Sequence, residues 1–141
     1  LREAEVTDAA GVASLLCALG YPCNEDDARE RIAWMQDDPN QALLVADLLG
    51  ELCGMVALDF MYYLPLGRVT CRITTLVVAD SQRGQGLGQA LVREAECRAR
   101  AIGAARIEVS SADHRSEAHA FYRACGYEQG SQRFVKRLGE A

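Results

Sequence analysis

The sequence predicts an α/β chain built on one mostly sequential sheet, and three observations lead there. Runs of alternating or β-branched apolar residues mark strands, and runs with apolar residues three and four positions apart mark helices. The two kinds alternate from end to end, with no linker or low-complexity segment between them. A glycine-rich stretch, residues 82–88, joins an apolar strand directly to a helix. At 141 residues, half of them hydrophobic, the chain has the size of one domain, about 100 to 200 residues, and reads as a single domain over 1–141 with one core.

Residues 1–6 read as the first strand. Thr7 and Asp8 supply N-cap chemistry for a helix that runs to Leu19, where Gly20 stops it. Beyond the turn Gly20-Tyr21-Pro22, Asn24 caps a second helix that ends near Asp38-Pro39. Glu25, Asp26 and Asp27 fill its first turn, where the helix dipole favours acids. Residues 42–46 and 52–60 form an antiparallel hairpin around Gly50-Glu51, and the β-branched run 69–78 is the next strand. In the following helix Leu87, Leu91, Ala95, Ala99 and Ile102 recur at helical spacing as the core stripe, with Gly103 at its end. Residues 107–110 form a short buried strand. Ser116 caps a last helix on which Ala118, Phe121, Tyr122 and Cys125 share a face; Gly126 ends it, and residues 127–138 return as a final strand.

Composition excludes several classes. No apolar run is long enough to span a membrane, and no basic leader precedes a hydrophobic stretch, so the expectation is a soluble, cytoplasmic chain. The six cysteines, Cys17, Cys23, Cys53, Cys71, Cys97 and Cys125, contain no Cys-x-x-Cys pair and have only two histidines to join them, which argues against a metal site. Reduced thiols in apolar segments pack as small hydrophobes. A net charge of -5 without an arginine cluster on one face argues against a nucleic-acid partner.

The glycine stretch carries the chemistry. Gly84, Gly86 and Gly88 have no Cβ, so the backbone of the turn can approach a ligand, and the first amides of the next helix lack intrahelical acceptors. Such a turn suits a phosphate, which the helix dipole favours by a further 0.3 to 1 kcal/mol or so. Spacing narrows the ligand. Gly-x-Gly-x-x-Gly fails, because Gln89 stands three residues after Gly86 and Leu91 three after Gly88; a P-loop fails, because the sole lysine is Lys136.

What remains, Arg83-x-x-Gly86-x-Gly88 after Leu76-Val77-Val78, resembles the coenzyme A pyrophosphate loop of the GNAT superfamily of N-acetyltransferases. A second segment, from Ala118-His119-Ala120-Phe121-Tyr122 to Gly126-Tyr127, is similar to the family's Ala-x-x-Phe-Tyr-x-x-x-Gly-Phe stretch. The resemblance covers almost the whole chain and is strongest from Ile73 to Tyr127. It implies a mostly antiparallel sheet flanked by helices, in the order strand, two helices, three strands, helix, strand, helix, strand. It also implies acetyl-CoA as co-substrate, with no metal. By the same resemblance, Gln82, Arg83, Gly84, Gln85, Gly86, Leu87 and Gly88 bind the pyrophosphate. Leu76, Val77 and Val78 lie on a strand that parts from its neighbour, so that the pantetheine arm bonds their backbone.

The reaction so implied is acyl transfer from a thioester to an amine. An amine of pKa near 10.4 is mostly protonated at neutral pH, so a base or a water chain must take its proton. The departing thiolate needs one back, and a phenol, with a reference pKa of about 10, is close enough to supply it. Tyr122 matches the family's helix tyrosine and takes that role. The base stays open. Thr74-Thr75 stand where many relatives carry a glutamate, and Asp59, Glu108, His114, His119 or water are the alternatives. Arg115 replaces the asparagine that many relatives use for the pantetheine.

A non-catalytic acyl-CoA-binding or sensing domain of the same fold is the alternative to the enzyme. The acceptor expected is a small-molecule or peptide amine, drawn as a cation to the acids Glu25, Asp26, Asp27 and Glu30, with Tyr21, Tyr62 and Tyr63 offering aromatic faces. A homodimer is left open.

Overall fold

The computed structural model describes residues 1–110, 116–130 and 134–139 and divides into two compact units, Leu1–Ser110 and Ser111–Ala141. In the first, strands β1 (Arg2–Glu3), β2 (Gln41–Leu48), β3 (Glu51–Tyr63), β4 (Arg68–Val78) and β5 (Arg106–Val109) form one sheet in sequential order. The first four pair antiparallel; β5 joins β4 in parallel. Helices α1 (Ala9–Leu19) and α2 (Glu25–Gln36) precede the hairpin, and α3 (Leu87–Ala101) is the crossover between the parallel strands.

The two faces of the sheet bury different helices. Val12, Ala13 and Leu15 of α1 and Ala28 and Ile32 of α2 pack with Val45, Met55 and Val77 on one side. Leu91, Ala95 and Ala99 of α3 pack with Leu44, Val56, Leu58, Cys71 and Ile73 on the other. Alternation along each strand assigns these faces, and each fully buried Leu or Ile contributes roughly 1.5 to 3 kcal/mol. In the second unit, α4 (Ser116–Ala124) is followed by a turn at Cys125-Gly126, where Gly126 has a φ of +93°.

Several boundaries differ from the sequence reading. The first strand is only Arg2–Glu3, because a 3-10 turn at Val6–Asp8 takes the chain out of the sheet. Asp8 is the N-cap residue of α1 but makes no side-chain cap bond there. Its carboxylate instead accepts from the Glu5 amide and from both terminal nitrogens of Arg2, each at 2.8 Å. Asn24 caps α2 as expected, in a reciprocal box with Asp27. The hairpin turns on Leu49-Gly50 rather than Gly50-Glu51: both have positive φ, 53° and 90°, the twist that a two-residue hairpin requires.

Ile102 lies beyond the last turn of α3 and is 50% exposed, so it leaves the core stripe. β5 is half-buried rather than buried. Ser116 is already the first residue of α4 rather than the residue before it. The final strand expected over 127–138 is absent among the described residues. Phe134, Val135 and Leu138 are exposed, so the apolar positions that suggested a strand bury no face.

Candidate functional site

β4 parts from β5 after four residues. The parallel pairing runs from Thr70↔Arg106 to Ile73↔Val109, whereas β4 continues beside β3 as far as Gly54↔Val78. Residues 74–78 therefore have a strand partner on one edge only among the described residues, and alternate N–H and C=O groups face the other edge unpaired. Leu76, Val77 and Val78 all lie in this stretch. It begins at a bulge, where Thr74 is the extra residue and its hydroxyl donates to the Ala57 carbonyl at 3.4 Å.

The loop that follows has the open geometry of an anion cradle. A 3-10 turn at Asp80–Gln82 leads to Arg83, and Gly84 and Gly86 then adopt left-handed φ of +80° and +78°. Nothing lies within 4 Å of where a Cβ on either would stand, so the turn is uncovered on that side. Gly86 is the N-cap residue of α3, and the Ala90 N–H donates to the Gly86 C=O at 3.1 Å; Leu87, Gly88 and Gln89, in the first turn, have no intrahelical acceptor. Arg83 pairs with Asp80 at 3.1 Å, both side chains mostly exposed, and a pair of this kind holds the guanidinium weakly.

Gly54 supports this loop, and the sequence reading missed it. It faces Val78 in the register and sits beneath Leu87 and Leu91 of α3, so its missing side chain lets the first turns of that helix settle on the sheet. The signal was a lone glycine inside an apolar strand, which marks a close approach of backbone.

The base candidates separate. Glu108 is held by Arg72 of β4, whose Nε donates to Oε1 at 2.8 Å and whose Nη2 lies 2.6 Å from the same oxygen. Its carboxylate is therefore engaged by a neighbouring strand. Asp59 stands opposite Arg72 in the register and has no ion pair among the described residues. His114 and Arg115 lie outside the described residues. His119 and Tyr122 both lie on α4, half-buried. The Tyr122 ring packs edge-on to Phe121 with centroids 5.2 Å apart and tilted to Tyr127 at 6.0 Å, and its carbonyl accepts from the Tyr127 amide at 3.0 Å.

The acidic helix uses most of its acids itself. Glu25 and Asp26 pair with Arg29 at 2.8 and 2.7 Å, and Asp27 closes the capping box. Glu30 and Asp27 line a shallow cleft with Arg31 and Trp34, of mixed charge. Of the tyrosines offered for a cation, Tyr63 already carries the Arg106 guanidinium 4.6 Å above its ring. Among the described residues no group of histidine, cysteine and carboxylate side chains fits a metal ion, and no helix is long and apolar enough to cross a membrane.

Comparison with known proteins matches residues 10–127 to the family model described as Acetyltransferase (GNAT) family. The chain is 37% identical over 141 residues to the aminoalkylphosphonate N-acetyltransferase of Salmonella typhimurium, covering 98% of this chain and 90% of that protein. Among solved structures it is similar to glucosamine-6-phosphate N-acetyltransferase of Arabidopsis thaliana, with TM-score 0.84, 19% identity and coverage of 98% and 97% of the two chains. An aminoglycoside N-acetyltransferase in complex with CoA gives TM-score 0.84, 15% identity and coverage of 97% and 92%. At those identities the structures speak to the fold alone.

Proposed function

Because this chain belongs to the GNAT acetyltransferase family, we propose that it carries the acetyl group of acetyl-CoA to the primary amine of a small molecule, an aminoalkylphosphonate first among the acceptors. The binding-only alternative is not favoured, since the relative matched along nearly the whole chain is named as an enzyme. The acceptor follows that relative's name, and it revises the expectation of a plain cation. Three of the four acids invoked for a cation serve α2 itself.

The observation that carries the cofactor reading is the sequence of an unpaired β4 edge, a glycine turn open to solvent and free amides at the start of α3. On this reading residues 82–88 hold the pyrophosphate, and Leu76, Val77 and Val78 present backbone groups to the pantetheine amides, which add to the sheet as a strand would. The amine loses a proton, directly or through water, and its nitrogen bonds the acetyl carbon as the carbon–sulfur bond breaks. Tyr122, by its match to the family's helix tyrosine, protonates the sulfur; one proton is released overall. The whole chain works as one domain of this kind.

Thermal shift and mass spectrometry test the proposal. Acetyl-CoA at a hundred times its Kd should stabilise the fold by about 2.7 kcal/mol. Gly86→Val should abolish that shift, because a β-branched residue at φ +78° is strained and obstructs the turn. An unshifted melting temperature in the wild type, or no acetylated product from any amine, would rule the reading out.

A further inference from the structure

The sheet carries a row of charge on the side where α1 and α2 lie. Asp59 of β3, Arg72 of β4 and Glu108 of β5 are register partners on adjacent strands. Their neighbours Leu58, Cys71, Ile73, Ile107 and Val109 pack with α3 on the opposite face, so alternation puts all three on the α1 and α2 side. Arg106, two residues before Glu108, shares that face and reaches its Oε2 at 3.6 Å while lying over Tyr63. Two guanidinium groups thus share one carboxylate. The side chains of Arg72, Arg106 and Glu108 remain 33%, 44% and 34% exposed, so a solute can reach them.

Two further observations bear on what that solute is. Asp59, beside Arg72, has no ion pair among the described residues, so of the two carboxylates in the row only Glu108 engages the two guanidinium groups. Thr70, register partner of Arg106 and two residues before Arg72, is 1% exposed, and its hydroxyl has no hydrogen-bond partner among the described residues. A buried donor left unpaired is costly, and the register sets this one beside the Arg106 end of the row. Arg72 also stands two residues before the bulge where β4 leaves β5, about 7 Å along the strand at roughly 3.3 Å per residue.

We infer that this row reads the acceptor as a zwitterion: Arg72 and Arg106 take its phosphonate, and Asp59 faces its ammonium. The inference rests on the acetyltransferase reading above and names the chemistry that the acceptor brings. A guanidinium fork matches two oxygens of a phosphonate, and Glu108 keeps both forks in place until they are engaged. Opposite charges on neighbouring strands lie about 4.5 to 5.5 Å apart at Cβ, a span that suits a short aminoalkyl chain.

The test compares kcat/KM for 2-aminoethylphosphonate and for propylamine, which has no anion, in the wild type, Arg72→Gln and Arg106→Gln. The wild type should prefer the phosphonate. Each variant should lower that preference about tenfold or more, through KM rather than kcat, because a charge-assisted fork is lost; Arg72→Lys should restore part of it. Arg106→Gln leaves the Arg72–Glu108 pair intact and carries the test if Arg72→Gln does not fold. A wild type indifferent to the phosphonate, or variants that slow both amines equally, overturns the inference and leaves the enzyme standing. Turnover of no amine at all overturns both.

Discussion

Gly54 and Val77 stand so close that a Cβ on Gly54 would lie 3.0 Å from the Val77 carbonyl oxygen, with Leu91 Cδ1 at 3.2 Å and Leu87 Cδ2 at 3.3 Å. The first atom is backbone of the parted strand, and the other two belong to the first turns of α3. One glycine therefore sets the spacing of both parts of the proposed cofactor site.

Gly54→Ala should cost about 1 to 3 kcal/mol of stability through overpacking. It should also raise KM for acetyl-CoA several-fold more than KM for the acceptor, and Leu87→Ala in the same chain should recover part of the loss. Steady-state kinetics with each substrate varied in turn checks this; equal changes in both constants would reduce Gly54 to a packing residue.

Tyr122→Phe keeps the ring that packs against Phe121 and Tyr127 and removes the phenolic hydroxyl, the acid of the proposed step. Turnover should fall by roughly 10²- to 10⁴-fold, the usual range for loss of a general acid. Binding of acetyl-CoA, read by thermal shift, should change little. A variant with near-normal kcat would return Tyr122 to the core of its unit.

Arg2 ties β1 to two other segments, at 2.8 Å from Asp8 and 3.0 Å from Asp47. Its guanidinium holds both carboxyls below the usual carboxylate range. Carboxylates with lowered pKa in the folded chain stabilise it fully above the unfolded value near 3.9, and that contribution is lost as pH falls through the lower folded value. Arg2→Met should therefore lower the melting temperature at pH 7, with the gap closing below about pH 4 as the unfolded chain takes up protons first. A gap that is constant across this range, measured by melts from pH 7 to pH 2.5, would separate Arg2's role from its charge.

Thiol reactivity should follow burial. Cys17 and Cys97 are exposed, whereas Cys71 is buried and its thiol is pushed up to about 11 by desolvation, with Asp59 adding to the effect. A disulfide-exchange reagent at pH 8 should label Cys17 and Cys97 first and leave Cys71 unmodified until the chain unfolds, as peptide mass mapping would register.

Local chemistry explains what was legible in the chain. The Asn24 cap, the stops at Gly20 and Gly103, the core stripe of Leu87, Leu91, Ala95 and Ala99, and the turn through Gly84 and Gly86 are each written in a few adjacent residues. The length of β1 depended instead on where Arg2 finds Asp8 and Asp47, one of them 45 residues away. The strand expected at 127–138 rested on apolar positions that bury no face, and alternation without a partner makes no ladder.

By itself, then, the sequence determined most element types, the family and the glycine turn that opens α3, because caps, periodicity and glycine conformations act over a few residues. Tertiary structure alone decided that β4 parts from β5 after Ile73, that Gly54 lies under α3, and that Glu108 is paired with Arg72. Asp59, Arg72 and Glu108 are far apart along the chain and meet only through strand register, which is a property of the whole sheet.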